Sequence, residues 1–292
     1  MARRLLHCGE RCGTLDGRSI QADHSFMAEP QKSIFITGAG SGIGRATAQL
    51  FAERGWFVGL SDINQQGLEE TAALLPGGQR ISIILDTRDR AAWTRAMDAF
   101  GTATGRRMHV LFNNAGVGKG GLLEDMPEDD IELVLDVNLK GVIHGCVEAL
   151  PLLRETAGAR IVNVASVAGV MGAPRMSIYC ASKFGVRGLT EALDVEYSRY
   201  GIRVVSLMPW FMDTPIIDGI PEPGSNRRVR DALMENKTPI YPVRMAAERA
   251  WDAVHGSDIH YMVGKEAERT RFAARFFPNA LRNRMKKMMG DD

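Results

Sequence analysis

Ser33 to Gly44, SIFITGAGSGIG, constrains the fold of this chain more than any other stretch. A short apolar run, Ile34-Phe35-Ile36, stops at Thr37-Gly38. Gly42 and Gly44 follow, and then the helical pattern RATAQLFAERG begins. A strand that ends in a glycine turn and opens into a helix is a layout that holds a pyrophosphate. Glycines adopt backbone angles that other residues avoid, and without a Cβ they let a ligand approach closely. The helix N-terminus adds unpaired N–H groups and a partial positive charge. A glycine-rich turn with no ligand would show the same spacing, so the triplet alone decides little. The next strand-like run, Trp56 to Ser61, narrows the choice because it ends in Asp62. A carboxylate there accepts hydrogen bonds from both hydroxyls of an adenosine ribose and repels a 2′-phosphate.

Strand-like and helix-like segments alternate from there on, the pattern of a parallel sheet covered on both faces. Helices are expected at 42–54, ended by Gly55, and at 65–75, ended by Pro76-Gly77-Gly78. Strands are expected at 80–85, 108–112, 160–165, 202–208 and 260–263. Pro127 opens a long helix, 127–153, with Glu128, Asp129 and Asp130 suiting its dipole. Ile131, Val134, Leu135, Asn138, Leu139 and Val142 form one stripe of it. Asn138 is polar within that stripe, which is costly unless it is paired. Strand 160–165 presents Ser166 at its carboxyl end, and a second long helix starts near Ile178. On it Tyr179 and Lys183 lie one above the other. A surface Tyr–Lys pair would look the same.

With 292 residues, 45% of them hydrophobic, the chain can bury the core of one large α/β domain, and length alone allows two. A net charge of +1 makes no electrostatic case for nucleic acid. Cys8, Cys12, Cys146 and Cys180 are too few for a disulfide scaffold and suit a reducing, cytoplasmic compartment. His7-Cys8-x3-Cys12 has no second ligand pair, so no metal is expected. No apolar run approaches the roughly 18 residues needed to cross a bilayer. Residues 1–31 show no period and read as a disordered extension or an upstream start, with Met27-Ala28-Glu29-Pro30 a natural beginning. Residues 216–240 read as a flap, broken by Pro221-Glu222-Pro223-Gly224 and carrying Arg227, Arg228 and Arg230. Residues 265–287 hold eight basic and two acidic residues among Phe272, Phe276, Phe277 and Leu281. Such a helix can lie on an anionic membrane or bind a partner; the plainer expectation is that it packs its apolar stripe on the body.

Thr37-Gly38-x3-Gly42-x-Gly44, Asn113-Asn114-Ala115-Gly116, Ser166 and Tyr179-x3-Lys183, in that order, resemble the short-chain dehydrogenase/reductase family over about 32–264. The resemblance implies a Rossmann-type doubly wound parallel sheet in a single domain, 32–264, flanked by the 1–31 extension and the 265–292 tail. It implies an NAD(P)-dependent oxidoreductase that moves a hydride between a nicotinamide cofactor and a secondary alcohol or ketone. Tyr179 would be the general acid/base, Lys183 would lower its pKa and hold the ribose, Ser166 would bind the reacting oxygen, and Asn138 would bend its helix and hold a proton relay. A free tyrosine titrates near ~10, and bringing it toward ~7 takes roughly 4 kcal/mol. Two positive charges, the Lys183 ammonium and oxidised nicotinamide, can supply that.

For the cofactor the resemblance implies Gly38, Ser41, Gly42, Ile43, Gly44, Asp62, Asp86, Asn114, Ala115, Gly116, Pro209 and Thr214, with Tyr179 and Lys183. Asp86 would lie against the adenine; a helix cap is its other reading, although Asp89 fits that better. Asp62, with no basic residue at Ser41, points to NAD ahead of NADP, and Arg45 is a weaker counter-signal. The chain departs from the family at Pro209-Trp210, where Pro-Gly is usual, which puts a large ring beside the expected nicotinamide. Lys119 reads as a solvated loop lysine or a substrate contact. Val170, Met171, Pro174, Met176, Trp210, Phe211, Ile216 and Ile217 suggest an apolar, cyclic or aryl-bearing alcohol. A homodimer or homotetramer through helices 127–153 and 178–200 is also implied. Two other readings stay open: an NADPH-dependent 3-oxoacyl reductase with the basic flap receiving an acidic carrier, and a non-catalytic nucleotide sensor on the same fold.

Overall fold

Ile34, Phe35 and Ile36 sit fully buried in β1 (Ser33–Thr37), an interior strand of a seven-stranded parallel sheet. The computed structural model describes residues 31–77, 79–219 and 228–290. The 1–30 stretch with His7-Cys8-x3-Cys12, and the flap residues Pro221-Glu222-Pro223-Gly224 and Arg227, lie outside the described residues. The other strands are β2 (Phe57–Asp62), β3 (Arg80–Ile84), β4 (Val110–Asn113), β5 (Arg160–Val164), β6 (Arg203–Pro209) and β7 (His260–Val263), in the order β3-β2-β1-β4-β5-β6-β7. This is the Rossmann-type doubly wound sheet. Its order reverses beside β1, and open sheets of this kind bind ligands outside the carboxyl ends of the strands at that point.

One face is covered by α1 (Gly42–Glu53), α2 (Gln65–Leu74) and α10 (Val243–His255). The other carries α3 (Arg90–Ala103), α5 (Gly141–Glu148) and α7 (Ser177–Tyr197). Strands buried on both sides read as continuous apolar runs, which is why β1, β5 and β6 were plain in the sequence. Gly59 in β2 shows how tightly one layer packs: a Cβ there would stand 2.7 Å from the Phe100 ring and 2.8 Å from Phe35. Among the described residues no helix is long and apolar enough to cross a membrane.

Three differences from the sequence reading bear on function. First, the expected helix 127–153 is four pieces: α4 (Glu128–Leu135), a wide π turn (Asp136–Lys140), α5, and α6 (Leu150–Arg154). A π turn opens where a side chain is needed off the regular path, and this one contains Asn138. Second, α8 (Pro215–Gly219) and α9 (Val229–Glu235) flank the undescribed part of the flap, and Arg230 on α9 grips Asp218 (Nε to Oδ1 2.6 Å) and Asp213 (2.8 Å). We expect Arg230→Ala to loosen this partly exposed clamp and to speed limited proteolysis within 215–240 roughly fivefold; unchanged cleavage would show that the clamp does not hold the flap. Third, α11 (Lys265–Phe276) and α12 (Pro278–Met289) do not lay their phenylalanines on the body: Phe272, Phe276 and Phe277 are exposed.

Candidate active site

The glycine turn follows from steric need. Gly38 and Gly42 hold φ of 66° and 51°, in the left-handed region where a side chain is strained. A Cβ at Gly38 would lie 2.8 Å from Asn114 Nδ2, and one at Gly44 would overlap the Gly38 carbonyl. The turn is tied to the end of β4. The Asn114 and Ala115 N–H groups donate to Thr37 Oγ1 at 2.9 and 3.0 Å, and Asn114 Nδ2 donates to Thr37 O at 2.9 Å. Asn113 holds the next strand, donating to Asn163 Oδ1 at 2.9 Å. The two motifs at Thr37-Gly38 and Asn113-Asn114 therefore form one rigid cradle.

A cleft of about 510 Å³ opens over this cradle, within the usual range for a small-molecule site. Asp62, Ile63 and Asp86 line one end; Gly38, Ser41, Gly42 and Ile43 the floor; and Asn114, Ala115, Gly116, Val117, Lys119 and Thr214 the far side. Asp62 accepts N–H bonds from Gly40 and Asn64, both at 2.9 Å. Each carboxylate oxygen keeps acceptor capacity for a further hydroxyl. Ile63 beside it is 63% exposed, so an apolar side chain stands where a phosphate would want a cation. Arg45 does not line the cleft; it donates to Thr71 Oγ1 at 2.9 Å and pairs with Glu70 at 2.8 Å.

Asp86 is no helix cap. Asp89 caps α3 by accepting from the Ala91 and Ala92 N–H groups. Asp86 instead pairs with Arg88 in the cleft wall (Nη2 to Oδ2 2.6 Å), and the guanidinium holds its carboxyl below the ordinary range. Lys119 is paired with Asp130 at 2.8 Å.

Asn138, Ser166, Tyr179 and Lys183 meet just beyond Gly116, outside the lining of the cleft. A Cβ on Gly116 would stand 3.3 Å from Asn138 Oδ1 and 3.7 Å from Lys183 Nζ, so the cleft and this group adjoin at Gly116. Ser166 follows β5 by two residues, and its Oγ accepts the Ala168 N–H at 3.1 Å, which starts the tight turn Val167–Gly169. That turn is pressed on α7, since a Cβ at Gly169 would lie 2.7 Å from the Lys183 carbonyl. Lys183 is 4% exposed and its Nζ donates to Val164 O at 2.9 Å, 5.6 Å from the centre of the Tyr179 ring. Asn138, fully buried, accepts the Val117 N–H at 2.8 Å and donates to Val117 O at 2.9 Å and Ser182 Oγ at 3.4 Å. Ser182 Oγ in turn donates to Tyr179 O at 2.7 Å. The stripe's polar residue is thus paired; left unpaired it would cost about 1–3 kcal/mol.

The electrostatics of the protein alone run against the expected depression of Tyr179. Burial pushes the Tyr179 hydroxyl up to about 12, opposed by its hydrogen-bonding neighbour Ser166. Burial also pushes Lys183 down to about 8. A phenolate here needs positive charge beyond what Lys183 supplies.

Gly44 and Pro209 do not line the cleft either; Gly44 is a packing position, and Pro209 ends β6 against Val263. The Trp210 ring does not line it either; it packs against the core on the α7 face and edge-on to Phe211 at 5.2 Å. Of the expected apolar pocket, Ile216 alone lines the described cleft, and Ile217 is buried. Arg88 and Ser182 carried no motif in the sequence. Among the described residues no cluster of His, Cys, Asp or Glu could hold a metal ion.

The cradle fits a dinucleotide on the chain's own terms: three glycine positions a Cβ would fill, a helix N-terminus above them, and a carboxylate acceptor at the ribose end. The comparisons agree. The family model for short chain dehydrogenase matches residues 32–223. Levodione reductase of Leifsonia aquatica is 37% identical over 193 residues, 63% of this chain and 71% of that protein. Cyclohexanol dehydrogenase of Acinetobacter sp. (strain SE19) is 39% identical over 191 residues, 64% of this chain and 75% of that protein. The crystal structure of a short chain dehydrogenase/reductase from Burkholderia phymatum in complex with NAD superposes with a TM-score of 0.74 at 30% identity, covering 87% of this chain and 95% of that one. With sheet, cradle and motifs in place, the chain belongs to the short-chain dehydrogenase/reductase family, oxidoreductases that use a nicotinamide cofactor on alcohols and ketones.

Proposed function

We propose that this protein is an NAD-dependent dehydrogenase of apolar, cyclic secondary alcohols, running reversibly with the ketones. The observation that carries the reading is the meeting of Ser166, Tyr179, Lys183 and Asn138 behind Gly116, at the end of a cleft floored by the glycine turn. Gly38, Ser41, Gly42 and Ile43 would hold the pyrophosphate, Asp62 the adenosine ribose, Asp86 with Arg88 the adenine end, and Asn114, Ala115, Gly116 and Thr214 the nicotinamide half. When bound, the nicotinamide supplies the hydride chemistry. Tyr179 exchanges a proton with the substrate oxygen at its hydroxyl. Ser166 hydrogen-bonds that oxygen and fixes its position. Lys183 contributes charge beside Tyr179, and Asn138, tied to Val117 and Ser182, holds the helix turn through which the proton passes to solvent.

Preference for NAD rests on Asp62, on the apolar Ile63 beside it and on the engagement of Arg45 away from the cleft. We expect Asp62→Ala to lose about 10²-fold of its NAD-over-NADP discrimination in kcat/KM; an unchanged ratio would remove the assignment. The names of the two relatives, cyclohexanol dehydrogenase and levodione reductase, support a cyclic substrate. Arg230 is occupied by Asp213 and Asp218, which leaves less of the flap's basic charge for an acidic carrier. Exposed Ile143 and Val147 on α5, with Phe184 and Val195 on α7, support self-association through these helices. Cys146 and Cys180 are free and buried, in keeping with a cytoplasmic setting. The test is the absorbance of NADH formed with a panel of cyclic and linear secondary alcohols. Turnover confined to linear 3-hydroxyacyl substrates with NADP would overturn the proposal.

A further inference from the structure

Among the described residues, the terminal helices carry the largest exposed aromatic group outside the site. Phe272, Phe276 and Phe277 are 58%, 59% and 57% exposed, although core burial is the common fate of Phe. Their rings gather, with centroids 4.7 Å apart for Phe272–Phe276 and 6.1 Å for Phe272–Phe277. Around them, residues 269–287 contain seven basic residues and no acidic one. The two acidic residues of the region, Glu266 and Glu268, lie in the first turn of α11, and Glu266 is engaged by the Tyr241 hydroxyl. Among the described residues, none of Arg271, Arg275, Arg282, Arg284, Lys286 and Lys287 forms an ion pair. Six cations with no ion-pair partner among the described residues thus lie on the same two helices as an exposed aromatic cluster. Phe and Arg are common in protein interfaces, but charged residues are depleted from the interface core and Lys throughout; phenylalanines bordered by this many unpaired cations suit a lipid interface instead, rings in the acyl boundary and charges at anionic headgroups.

We propose that α11 and α12 form a docking surface for an anionic phospholipid bilayer. The surface lies on the membrane without spanning it. α11 starts directly after β7, at the carboxyl edge of the sheet, and packs on the turn Val167–Gly169 that follows Ser166. Docking therefore presents the edge that bears the cleft, and apolar alcohols partition into that same layer.

The experiment uses the full chain and co-sedimentation with two kinds of vesicle: phosphatidylcholine alone, and phosphatidylcholine with about 30% phosphatidylglycerol. The expected result is at least about tenfold stronger partition onto the anionic vesicles, lost at about 0.5 M salt. Two variants separate the parts: Phe272→Ser/Phe276→Ser/Phe277→Ser, and Arg282→Gln/Arg284→Gln/Lys286→Gln/Lys287→Gln. Each is expected to lose about tenfold of the binding while keeping the wild-type circular dichroism and dehydrogenase turnover in solution. The salt dependence of the wild type stands as a test should either variant fold poorly. Equal sedimentation with both vesicles, or binding unmoved by salt, would overturn the proposal. So would no vesicle binding together with a rise in mass on sedimentation velocity that the phenylalanine variant abolishes, because the surface would then belong to a second copy of this chain.

Discussion

Tyr179→Phe is expected to lower kcat by about 10³-fold while NAD binding stays within about threefold of wild type. The substitution removes one oxygen and keeps the ring, so the packing of α7 and the Lys183–ring distance of 5.6 Å should survive. Only the proton exchanger is lost. The pH dependence adds a second signature. In the protein alone the hydroxyl is held up at about 12. Oxidised nicotinamide, a cation, would favour the phenolate, so its binding would draw the Tyr179 hydroxyl down and be linked to proton loss. NAD should therefore bind more tightly as pH rises through neutrality in the wild type, and Tyr179→Phe should flatten that slope. Steady-state kinetics and NAD titrations between about pH 6 and 10 measure both. A variant that keeps a tenth of the turnover would show that another group moves the proton.

Lys183→Met is expected to abolish useful turnover and at the same time to stabilise the fold. Lys183 is buried, and its ammonium titrates at about 8 instead of 10.5. That shift corresponds to about 3 kcal/mol disfavouring the charged form in the folded protein. Because the folded pKa lies below the unfolded one, the unfolded chain binds more protons between about 8 and 10.5, so this residue makes the protein more stable as pH rises through that window. Below it the full penalty is present. Methionine has a similar volume and no charge, and it gives up the hydrogen bond to Val164 O and the ammonium's contact with the Tyr179 ring. Urea denaturation at pH 7 should show the variant more stable by about 1–2 kcal/mol, with the difference shrinking toward pH 10. A less stable variant at pH 7 would mean that the ammonium is well solvated where it stands. Stability given up at such a position is the usual signature of a functional one.

The parts of the site that could be read from the sequence are those set by local backbone sterics. Gly38 and Gly42 announce themselves because few residues tolerate their angles, and Tyr179 and Lys183 because helical spacing puts them on one face. The pairings that bridge distant segments were not legible. Arg88 next to Asp86, Arg230 between Asp213 and Asp218, and Ser182 under Asn138 depend on where loops return. Trp210 had a readable clue. Successive strand residues point to opposite faces, and Met208 lies in the core on the α7 side, so residue 210 should face that side too, as it does. The terminal phenylalanines mislead for a thermodynamic reason: apolar spacing predicts burial only if there is a surface to be buried on.

The wide turn around Asn138 also acts as a phase shifter. In a regular helix each residue advances the side chain by about 100°. One residue accommodated in a wider loop delays everything after it by that angle. α4 can then set its face against α7 while α5, continuing the same rod, sets its own against α3. A single uninterrupted helix would have to choose one neighbour or the other. The residue that anchors Val117 is therefore also what lets one rod serve two layers, so a deletion there would disturb the core and the site together.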